Sequence, residues 1–377
     1  MPKNASVARI CLVCHPYYPS NTSGRGIDRY AYEIVRNIEQ LSPDINIKVI
    51  HRGFSKTTLR GSGTKELWLV RDLAFTKASL YHAVSTVGAK TAALLSKVPL
   101  VTTIHDLVPF HFPDPRHRFE PPSKLWYRRF CTRISIARSK AIIVPFNVTK
   151  DELVSKFEVA ESKIHVINYG VDHDHYYPRP KIGGMEKSIL FLGSVTRAKG
   201  VDSLLKAFSI VERSIDGAKL LVGGTGNERP MMEELASDLK LKGVRFLGHV
   251  PEDELPMYYS SARAMIFPSR YGFGLSSVEA MACGCPVIIG NSLDAAEPLG
   301  DAGILIDSSS IEEMADAMLR LLTDERLTEE LSRKGIERAR LSSWHTMTQQ
   351  TMAVYEEALA QESSVDNRRL VEDWGHG

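Results

Sequence analysis

Residues 264–289 read AMIFPSRYGFGLSSVEAMACGCPVII, and the order of elements in this stretch decides the fold. An apolar run at Ala264–Phe267 predicts a buried strand, residues 276–283 predict a short helix, and Pro286–Ile289 predicts a second strand. Strand, helix and strand in this order are typical of a parallel sheet, because a crossover helix must return the chain to the end where the first strand began. The Gly-Phe-Gly turn before the helix would let backbone amides approach a ligand closely.

The same alternation of apolar runs and amphipathic stretches extends over the whole chain. The predicted strands are Ala8–Cys14, Ile45–Ile50, Leu80–Val84, Leu100–Ile104, Ala141–Val144, Lys163–Asn168, Ser188–Leu192, Lys219–Val222, Val244–Leu247, Ala264–Phe267, Pro286–Ile289 and Gly303–Ile306. The predicted helices cover 27–41, 124–139, 199–212, 230–240, 254–262, 276–283, 311–323 and 325–340. Strands that are apolar throughout are covered on both faces, so the pattern predicts an α/β protein with parallel sheets.

Length and charge indicate two domains. At 377 residues the chain is long enough for two hydrophobic cores of ordinary size. Residues 1–180 contain 26 Lys and Arg against 15 Asp and Glu, whereas residues 181–377 contain 21 against 30. The segment 171–187, VDHDHYYPRPKIGGMEK, lies where the charge changes sign and is poor in aliphatic residues, which predicts a linker. Two doubly wound, Rossmann-like domains facing one another would form a cleft at the carboxyl ends of their strands.

Composition excludes several classes of protein. A hydrophobic fraction of 43% is too high for a disordered chain. No stretch reaches the ~18 uncharged apolar residues that a membrane-spanning helix needs, and the polar N-terminus does not resemble a signal peptide. The five cysteines are expected to be free thiols in a reducing compartment, so we expect a cytoplasmic protein.

Two short motifs suggest haem or metal chemistry, and in both cases a simpler interpretation is preferred. Cys11-Leu12-Val13-Cys14-His15 matches the pattern of haem attachment, but it lies on an apolar strand that would point its two cysteines to opposite faces. Asp172-His173-Asp174 matches a metal-binding pattern of some sugar transferases, but it lies in the predicted linker and not after a buried strand. We therefore predict a core strand and a solvated linker at these two places.

Polar and charged residues at the carboxyl ends of predicted strands are the candidate binding groups. Gly26 ends a loop before the first predicted helix, and helix N-termini favour anions through their N–H groups and dipole. His105 follows the fourth predicted strand, and Lys199 follows the seventh, where a lysine can meet a diphosphate as a point charge. Glu279 lies one turn into the helix after the Gly-Phe-Gly turn, where a carboxylate can accept hydrogen bonds from a ribose.

The stretch 116–140 is strongly basic, with eight Lys and Arg against one acid, Glu120. Phe119, Trp126, Tyr127 and Phe130 are interleaved with these charges. Two interpretations remain open: a face that contacts an anionic membrane, or a helix with one core face and one solvated basic face. Nucleic acid is not an expected partner, because no nucleic-acid-binding module is recognisable.

The block from Gly272 to Val287 resembles the corresponding block of the retaining glycosyltransferases of family four, which have the GT-B fold of two Rossmann-like domains facing a cleft. Nearly the whole chain shares the resemblance, because further motifs of that family follow in order. These are the Gly24–Gly26 loop, Thr103-Ile104-His105-Asp106-Leu107, Asn168–Asp172, Gly193 with Lys199-Gly200, Val244–Gly248, Glu297–Gly303 and Ser343-Trp344. In that family the final helix packs back onto the first domain, so we predict domains over 1–178 and 179–345 and a helical tail over 346–377.

The resemblance also implies a reaction and a set of site residues. A hexose would pass from a nucleoside-diphosphate sugar to a glycan, lipid-linked or polysaccharide acceptor, with retention of anomeric configuration and without a cofactor or a metal. Catalytic roles would fall to His105 at the donor sugar, Lys199 at the departing diphosphate and Glu279 at the ribose. The donor-binding set would be Gly26, Ser194, Arg197, Lys199, Val250, Tyr271, Gly272, Phe273, Gly274, Leu275 and Glu279.

Two positions depart from the family pattern. Tyr271 replaces the first glutamate of the Glu-x7-Glu pattern, and a tyrosine can hydrogen-bond a sugar hydroxyl but supplies no charge. Ser194 replaces an arginine that many members carry after the glycine of the second domain, and Arg197 lies nearby. UDP-glucose and GDP-mannose are both reasonable donors, and a donor-binding but catalytically weak partner subunit is the alternative function. We expect a cytoplasmic location, with 116–140 as the candidate for peripheral contact at the inner face of the membrane.

Overall fold

The computed structural model describes residues 9–14, 26–51, 62–111, 121–269, 274–291 and 296–374, and the side chains of these residues except 62–67 and 361–374. The chain divides into two units. The first unit combines Met1–Asn168 with Trp344–Gly377, and the second is Tyr169–Ser343.

The first unit is built around a parallel six-stranded sheet. Its strands are β1 (Arg9–Val13), β2 (Asn46–Ile50), β3 (Leu80–Ala83), β4 (Leu100–Thr103), β5 (Ala141–Val144) and β6 (Ile164–Val166). They lie in the order β2-β1-β3-β4-β5-β6. The helices that follow them are α1 (Gly26–Leu41), α2 (Ser62–Phe75), α3 (Thr86–Leu95), α4 (Val108–His111), α5 (Pro122–Arg138) and α6 (Asn147–Phe157). Every residue of β3, β4 and β5 is buried, as expected for central parallel strands covered on both faces.

The second unit repeats this design. Its strands are β7 (Ser188–Leu192), β8 (Lys219–Gly223), β9 (Val244–Gly248), β10 (Ala264–Phe267), β11 (Val287–Gly290) and β12 (Gly303–Ile306), in the order β12-β11-β10-β7-β8-β9. Its helices are α7 (Val201–Ser214), α8 (Arg229–Asp238), α9 (Leu255–Ser261), α10 (Leu275–Ala282), α11 (Ala296–Leu299), α12 (Ile311–Thr323) and α13 (Glu325–Ala339). Phe191 of β7 and Phe208 of α7 are fully buried in its core.

Local sequence explains where several helices begin and which face they bury. The Ser310 hydroxyl accepts the N–H of Glu313, and an Asp324 carboxylate oxygen accepts the N–H of Leu327, so α12 and α13 each start at a side-chain cap. In α1 the residues that face the core recur every four positions, which is the helical repeat that predicted this element. They are Tyr30, Ile34 and Ile38.

The chain returns to the first unit at its end. The last helix, α14 (Trp344–Trp374), belongs to that unit, where it packs on α1. The predicted linker over 171–187 lies inside the second unit instead, and the change of unit falls between Asn168 and Tyr169. Backbone N–H groups of Arg179 and Ile182 donate to the hydroxyls of Ser260 and Ser261. The prolines and glycines of this segment are typical of a flexible linker, but these two N–H groups are hydrogen-bonded to side chains of the second unit.

Both sheets reverse their strand order once, which is the feature that positions a ligand site. The reversal lies between β1 and β3 in the first sheet and between β7 and β10 in the second. Ligands of open α/β sheets bind outside the carboxyl ends of the strands at such switch points. Each predicted strand overlaps an observed one, so the predicted α/β class with two doubly wound parallel sheets is confirmed.

Within the described ranges, no helix is both long enough and apolar enough to cross a bilayer.

Candidate active site

The loops that follow β7 and β10 meet at the switch point of the second sheet. A Cβ on Gly200 would lie 2.6 Å from the carbonyl oxygen of Pro268, and Gly200 has a φ of +74°. Only glycine allows this backbone conformation together with so close an approach. Gly193, at the start of the first loop, lies against the ring of Phe267, the last residue of β10. The two loops therefore form one continuous surface at the carboxyl ends of their strands.

The ring of Phe267 is contacted both by a lysine and by the residue that precedes a helix. The ammonium Nζ of Lys199 lies 5.1 Å from the ring centroid, within the range of a cation–π contact. Gly274, with a φ of +75°, lies against the same ring, because a Cβ at this position would be 3.1 Å from ring carbons. Leu275 then begins α10, and the first N–H groups of a helix lack intrahelical acceptors. A cation close to a helix N-terminus favours an anionic ligand.

Glu279 lies in the middle of α10 and is held by a tyrosine from a neighbouring helix. The hydroxyl of Tyr259, on α9, donates to Glu279 Oε2 at 3.1 Å. Tyr259 is fully buried, and burial together with the nearby carboxylate raises the pKa of its phenol well above the ordinary value. The phenol therefore keeps its proton and acts as a permanent donor, which restricts the rotamers of Glu279.

The remaining predicted donor-binding residues of the second unit lie on neighbouring loops. Ser194 is exposed in the loop after β7, and the amide of Arg197 in the same loop donates to Glu228 Oε2 at 2.6 Å. The guanidinium of Arg197 lies 3.0 Å from the sulfur of Met231 on α8. Val250 is buried just beyond β9, and its methyl group packs on Gly223 at the end of β8.

Two glycines that the sequence-based prediction left without a role complete this edge of the sheet. Gly224 and Gly226 follow β8, and a Cβ on either would collide with the carbonyl oxygen of Gly193 or Val195 in the loop after β7. Gly224 also has a φ of +123°. The sequence does show a Gly-x-Gly directly after an apolar strand. This pattern indicates that another backbone approaches closely, but it does not identify the segment to which that backbone belongs.

In the first unit, His105 follows β4 at the carboxyl end of the strand. Its Nε2 lies 2.8 Å from the carbonyl oxygen of Val84, so Nε2 carries a proton that it donates. The ring meets that of Tyr30 edge to face, with centroids 5.0 Å apart. Burial lowers the pKa of His105 to about 4, against the opposite effects of the Val84 carbonyl and of Asp106. The imidazole is therefore neutral near pH 7, and Nδ1 can accept a hydrogen bond.

Four predicted site residues sit on loops that the structure covers only in part. Gly26 is the first residue of α1, so it lies at a helix N-terminus after β1 as predicted, but the loop before it lies outside the described residues. Tyr271, Gly272 and Phe273 also lie outside them, although Gly274 and Leu275 do not. The roles assigned to these residues remain predictions.

The core-strand interpretation of the cysteine motif is confirmed, whereas the second motif lies inside the second unit and not in a linker, although Asp174 is exposed. Cys11 and Cys14 are buried free thiols, and burial raises the pKa of Cys11 to about 12. His173 Nε2 lies 2.8 Å from the carbonyl oxygen of Ser342, so this motif packs into the second unit. Over the described part of the chain, no three His, Cys, Asp or Glu side chains cluster as metal ligands would.

The described part of the basic stretch contains α5, which presents aromatic and arginine side chains together. The Trp126 side chain is 66% exposed and that of Phe130 is 40% exposed, and their rings stack with centroids 5.6 Å apart and planes 8° apart. Arg129 and Arg133 lie over the ring of Phe110, and these five side chains line a groove of about 370 Å³. The opposite side of α5 is buried, as Leu125, Cys131 and Ile136 show.

Two family models match consecutive parts of the chain. The model described as "Glycosyltransferase Family 4" matches residues 24–175, and the model described as "Glycosyl transferases group 1" matches residues 174–340. Together they cover most of the sequence, including both switch points. The chain therefore belongs to the family-four glycosyltransferases, as the resemblance implied.

Individual relatives agree with this assignment. The chain is 28% identical over 269 residues to the O-antigen chain mannosyltransferase B of Escherichia coli, which covers 68% of this chain and 69% of that protein. The structure of sucrose-phosphate synthase from Thermosynechococcus elongatus has a TM-score of 0.80 at 20% identity, over 94% of this chain and 100% of that chain. Anabaena HepE in complex with UDP and glucose has a TM-score of 0.73 at 16% identity, over 93% and 100%. These structures confirm the GT-B class of fold.

Proposed function

We propose that the chain is a retaining glycosyltransferase that moves a hexose from UDP-glucose or GDP-mannose to a glycan, lipid-linked or polysaccharide acceptor. The observation that carries this proposal is the contact of both Lys199 and Gly274 with the ring of Phe267, which places a cation and the start of α10 at the same side chain. A lysine ammonium and the N–H groups at the start of a helix both favour the negative charge of a diphosphate. The name of the Escherichia coli relative supports mannose, and the UDP and glucose bound to HepE support the other donor.

In the proposed reaction, the nucleoside diphosphate gains negative charge as its bond to the sugar breaks. Lys199 and the first amides of α10 would stabilise that charge, because they are held in place by backbone and ring contacts before the reaction starts. Glu279, oriented by Tyr259, would accept hydrogen bonds from the ribose. His105 would bind a hydroxyl of the donor sugar as a neutral imidazole. Since the chain itself supplies the positive groups, we propose that neither a metal nor a cofactor is required.

Donor turnover tests this function directly. The full chain is incubated with UDP-glucose and with GDP-mannose, and release of the nucleoside diphosphate is followed with and without a chelator. We expect turnover of one of them at a rate the chelator leaves unchanged. Product NMR should show the anomeric configuration of the donor. If neither donor binds or reacts, the proposal fails.

A pair of lysine variants tests the assignment of the site. Lys199→Ala should lower kcat by at least about tenfold, because the departing charge loses its fixed cation. Lys206→Ala, at an exposed position on the helix that follows, should leave kcat unchanged and is the matched control. Equal rates for the two variants would show that Lys199 does not act on the diphosphate.

We further propose that α5 makes peripheral contact with an anionic membrane surface at the inner face of the membrane. Between residues 121 and 140 the chain has six Lys and Arg and no acid. Exposed aromatic rings interleaved with arginines are typical of helices that lie in the lipid headgroup region. The exposure of Trp126 and Phe130 supports this interpretation over a merely solvated basic face, because solvation does not require exposed stacked rings.

Vesicle binding tests the membrane proposal. The chain should sediment with vesicles that contain phosphatidylglycerol and not with pure phosphatidylcholine, and high ionic strength should weaken the binding. Trp126→Ala combined with Phe130→Ala should abolish sedimentation. Phe75→Ala removes an aromatic side chain that is 80% exposed on α2 and should have no effect. Unchanged binding of the double variant would refute the assignment to α5.

A further inference from the structure

A chain of buried hydrogen bonds crosses the first unit from its last helix to its first. Tyr355 OH, on α14, lies 2.6 Å from His82 Nδ1, on β3. His82 Nε2 lies 2.8 Å from Thr103 Oγ1, the last residue of β4, and that oxygen lies 2.9 Å from Tyr30 OH, on α1. All four side chains are at most 2% exposed. Four elements far apart in sequence are therefore joined by side chains that water does not reach.

The two hydrogen bonds that His82 makes in this network run in one direction. Burial lowers the pKa of His82 to about 3, so its ring is neutral and has one N–H and one acceptor nitrogen. Among the described residues, Tyr355 OH has no other hydrogen-bond partner than His82, so a Tyr355 that accepted from Nδ1 would bury its own proton unpaired. Tyr355 therefore donates to Nδ1, and Nε2 of His82 donates to Thr103.

The network ends at the surroundings of His105. Among the contacts of the His105 ring are the carbonyl of Val84 and the ring of Tyr30. Val84 follows His82 by two residues at the end of β3, and Tyr30 is hydrogen-bonded to Thr103. The Val84 carbonyl and the Tyr30 ring are therefore both linked to the hydrogen-bond network that begins at Tyr355. A shift of His82 or Thr103 would move the carbonyl or the ring against which His105 is held.

We propose that Tyr355, His82 and Thr103 are positioning residues for His105, and that the C-terminal helix α14 thereby sets the orientation of that imidazole. The inference rests on the proposed function only in placing His105 at the donor sugar. The Val84 carbonyl keeps the proton of His105 on Nε2, so the positions of that carbonyl and of the Tyr30 ring decide where the imidazole meets the donor sugar.

The network is tested by variants that remove one hydroxyl and little volume. Tyr355→Phe should lower kcat about three- to tenfold, with the donor KM within about twofold of the original value. Thr103→Val should behave in the same way, whereas Thr103→Ser keeps the hydroxyl and should retain kcat. Thr351→Val is the matched control on α14, because the hydroxyl of this buried threonine donates only to the Met347 carbonyl of its own helix.

Histidine NMR gives a readout that needs no substrate. In the chain labelled with ¹⁵N-histidine, both His82 and His105 should show the proton on Nε2. Tyr355→Phe should give His82 a mixture of tautomers and shift the His105 signals, whereas Thr351→Val should change neither. The proposal is overturned if Tyr355→Phe matches Thr351→Val in kcat and in the spectra. If the wild-type chain turns over no nucleotide sugar, the proposed function fails, but the spectra still decide whether Tyr355 controls the two histidines.

Discussion

At the scale of single residues, the contact between Tyr259 and Glu279 gives a prediction that separates binding from chemistry. Tyr259→Phe removes the donor that orients the carboxylate, so Glu279 should bind the ribose less well in the ground state and the transition state alike. We expect the donor KM to rise about three- to tenfold while kcat changes little. Tyr258→Phe, one position earlier on α9, is the control. Steady-state kinetics that showed a loss of kcat at unchanged KM would contradict this role.

The sequence predicted the partner that lies after a strand in each of these contacts, but not the fully buried side chain that holds it in place. Lys199, Glu279 and His105 follow predicted strands, and a parallel sheet brings strand ends to one edge, so their positions could be argued from order alone. Tyr259 lies on a predicted helix with no spacing that relates it to Glu279. The partners His82 and Tyr355 are separated by 273 residues, and only tertiary packing brings them together.

At the scale of elements, the loops after β7 and β10 approach each other closely. Replacing two glycines of equal φ by alanine should therefore destabilise the protein to different extents. Gly200 and Gly217 both have a φ of +74°, but a Cβ on Gly217 would meet no atom within 4 Å. Gly217→Ala should therefore lower the free energy of unfolding only by the cost of the left-handed conformation, about 1–2 kcal/mol. Gly200→Ala adds a collision with the Pro268 carbonyl. Urea unfolding should show a clearly larger loss for Gly200→Ala, together with weaker donor binding.

Equal stabilities of the two alanine variants would mean that the Gly200 loop moves aside at no cost, and the packed junction would then not position Lys199. The periodicity of the sequence predicted the strands and helices on either side of this junction, because apolar runs and amphipathic repeats are local properties. It could not predict which two loops touch. That contact depends on strand order, in which β10 lies next to β7 although β8 and β9 intervene in the chain.

At the scale of the whole molecule, the position where the net charge of the chain changes sign differs from the positions where the chain passes between the two units. The net charge changes sign near residue 180, whereas the chain passes from one unit to the other after residue 168 and again after residue 343. The reason is that α14 returns to the first unit and that the segment after Asn168 is hydrogen-bonded to the second. Under the proposed function the acidic second unit would bind an anionic donor, so Lys199 and the α10 N-terminus would have to outweigh its net charge locally.

Buried neutral histidine also makes the stability of the first unit depend on pH. The folded state lowers the pKa of His82 from 6.5 to about 3, whereas the unfolded chain protonates the ring near its ordinary value. Below pH 6.5 the unfolded state therefore binds the extra proton, and the free energy of unfolding must fall as the pH falls. Between pH 6.5 and pH 5 the titration of His82 should lower the free energy of unfolding by about 2 kcal/mol.

His82→Gln, which cannot titrate, should remove that part of the pH dependence of stability even if it lowers stability at every pH. Hydrogen exchange of amides in β3 and β4, corrected for the intrinsic effect of pH, measures the slope for both chains. Parallel slopes would show that His82 gains its proton without unfolding, and the directed hydrogen-bond chain from Tyr355 would then not hold the ring neutral.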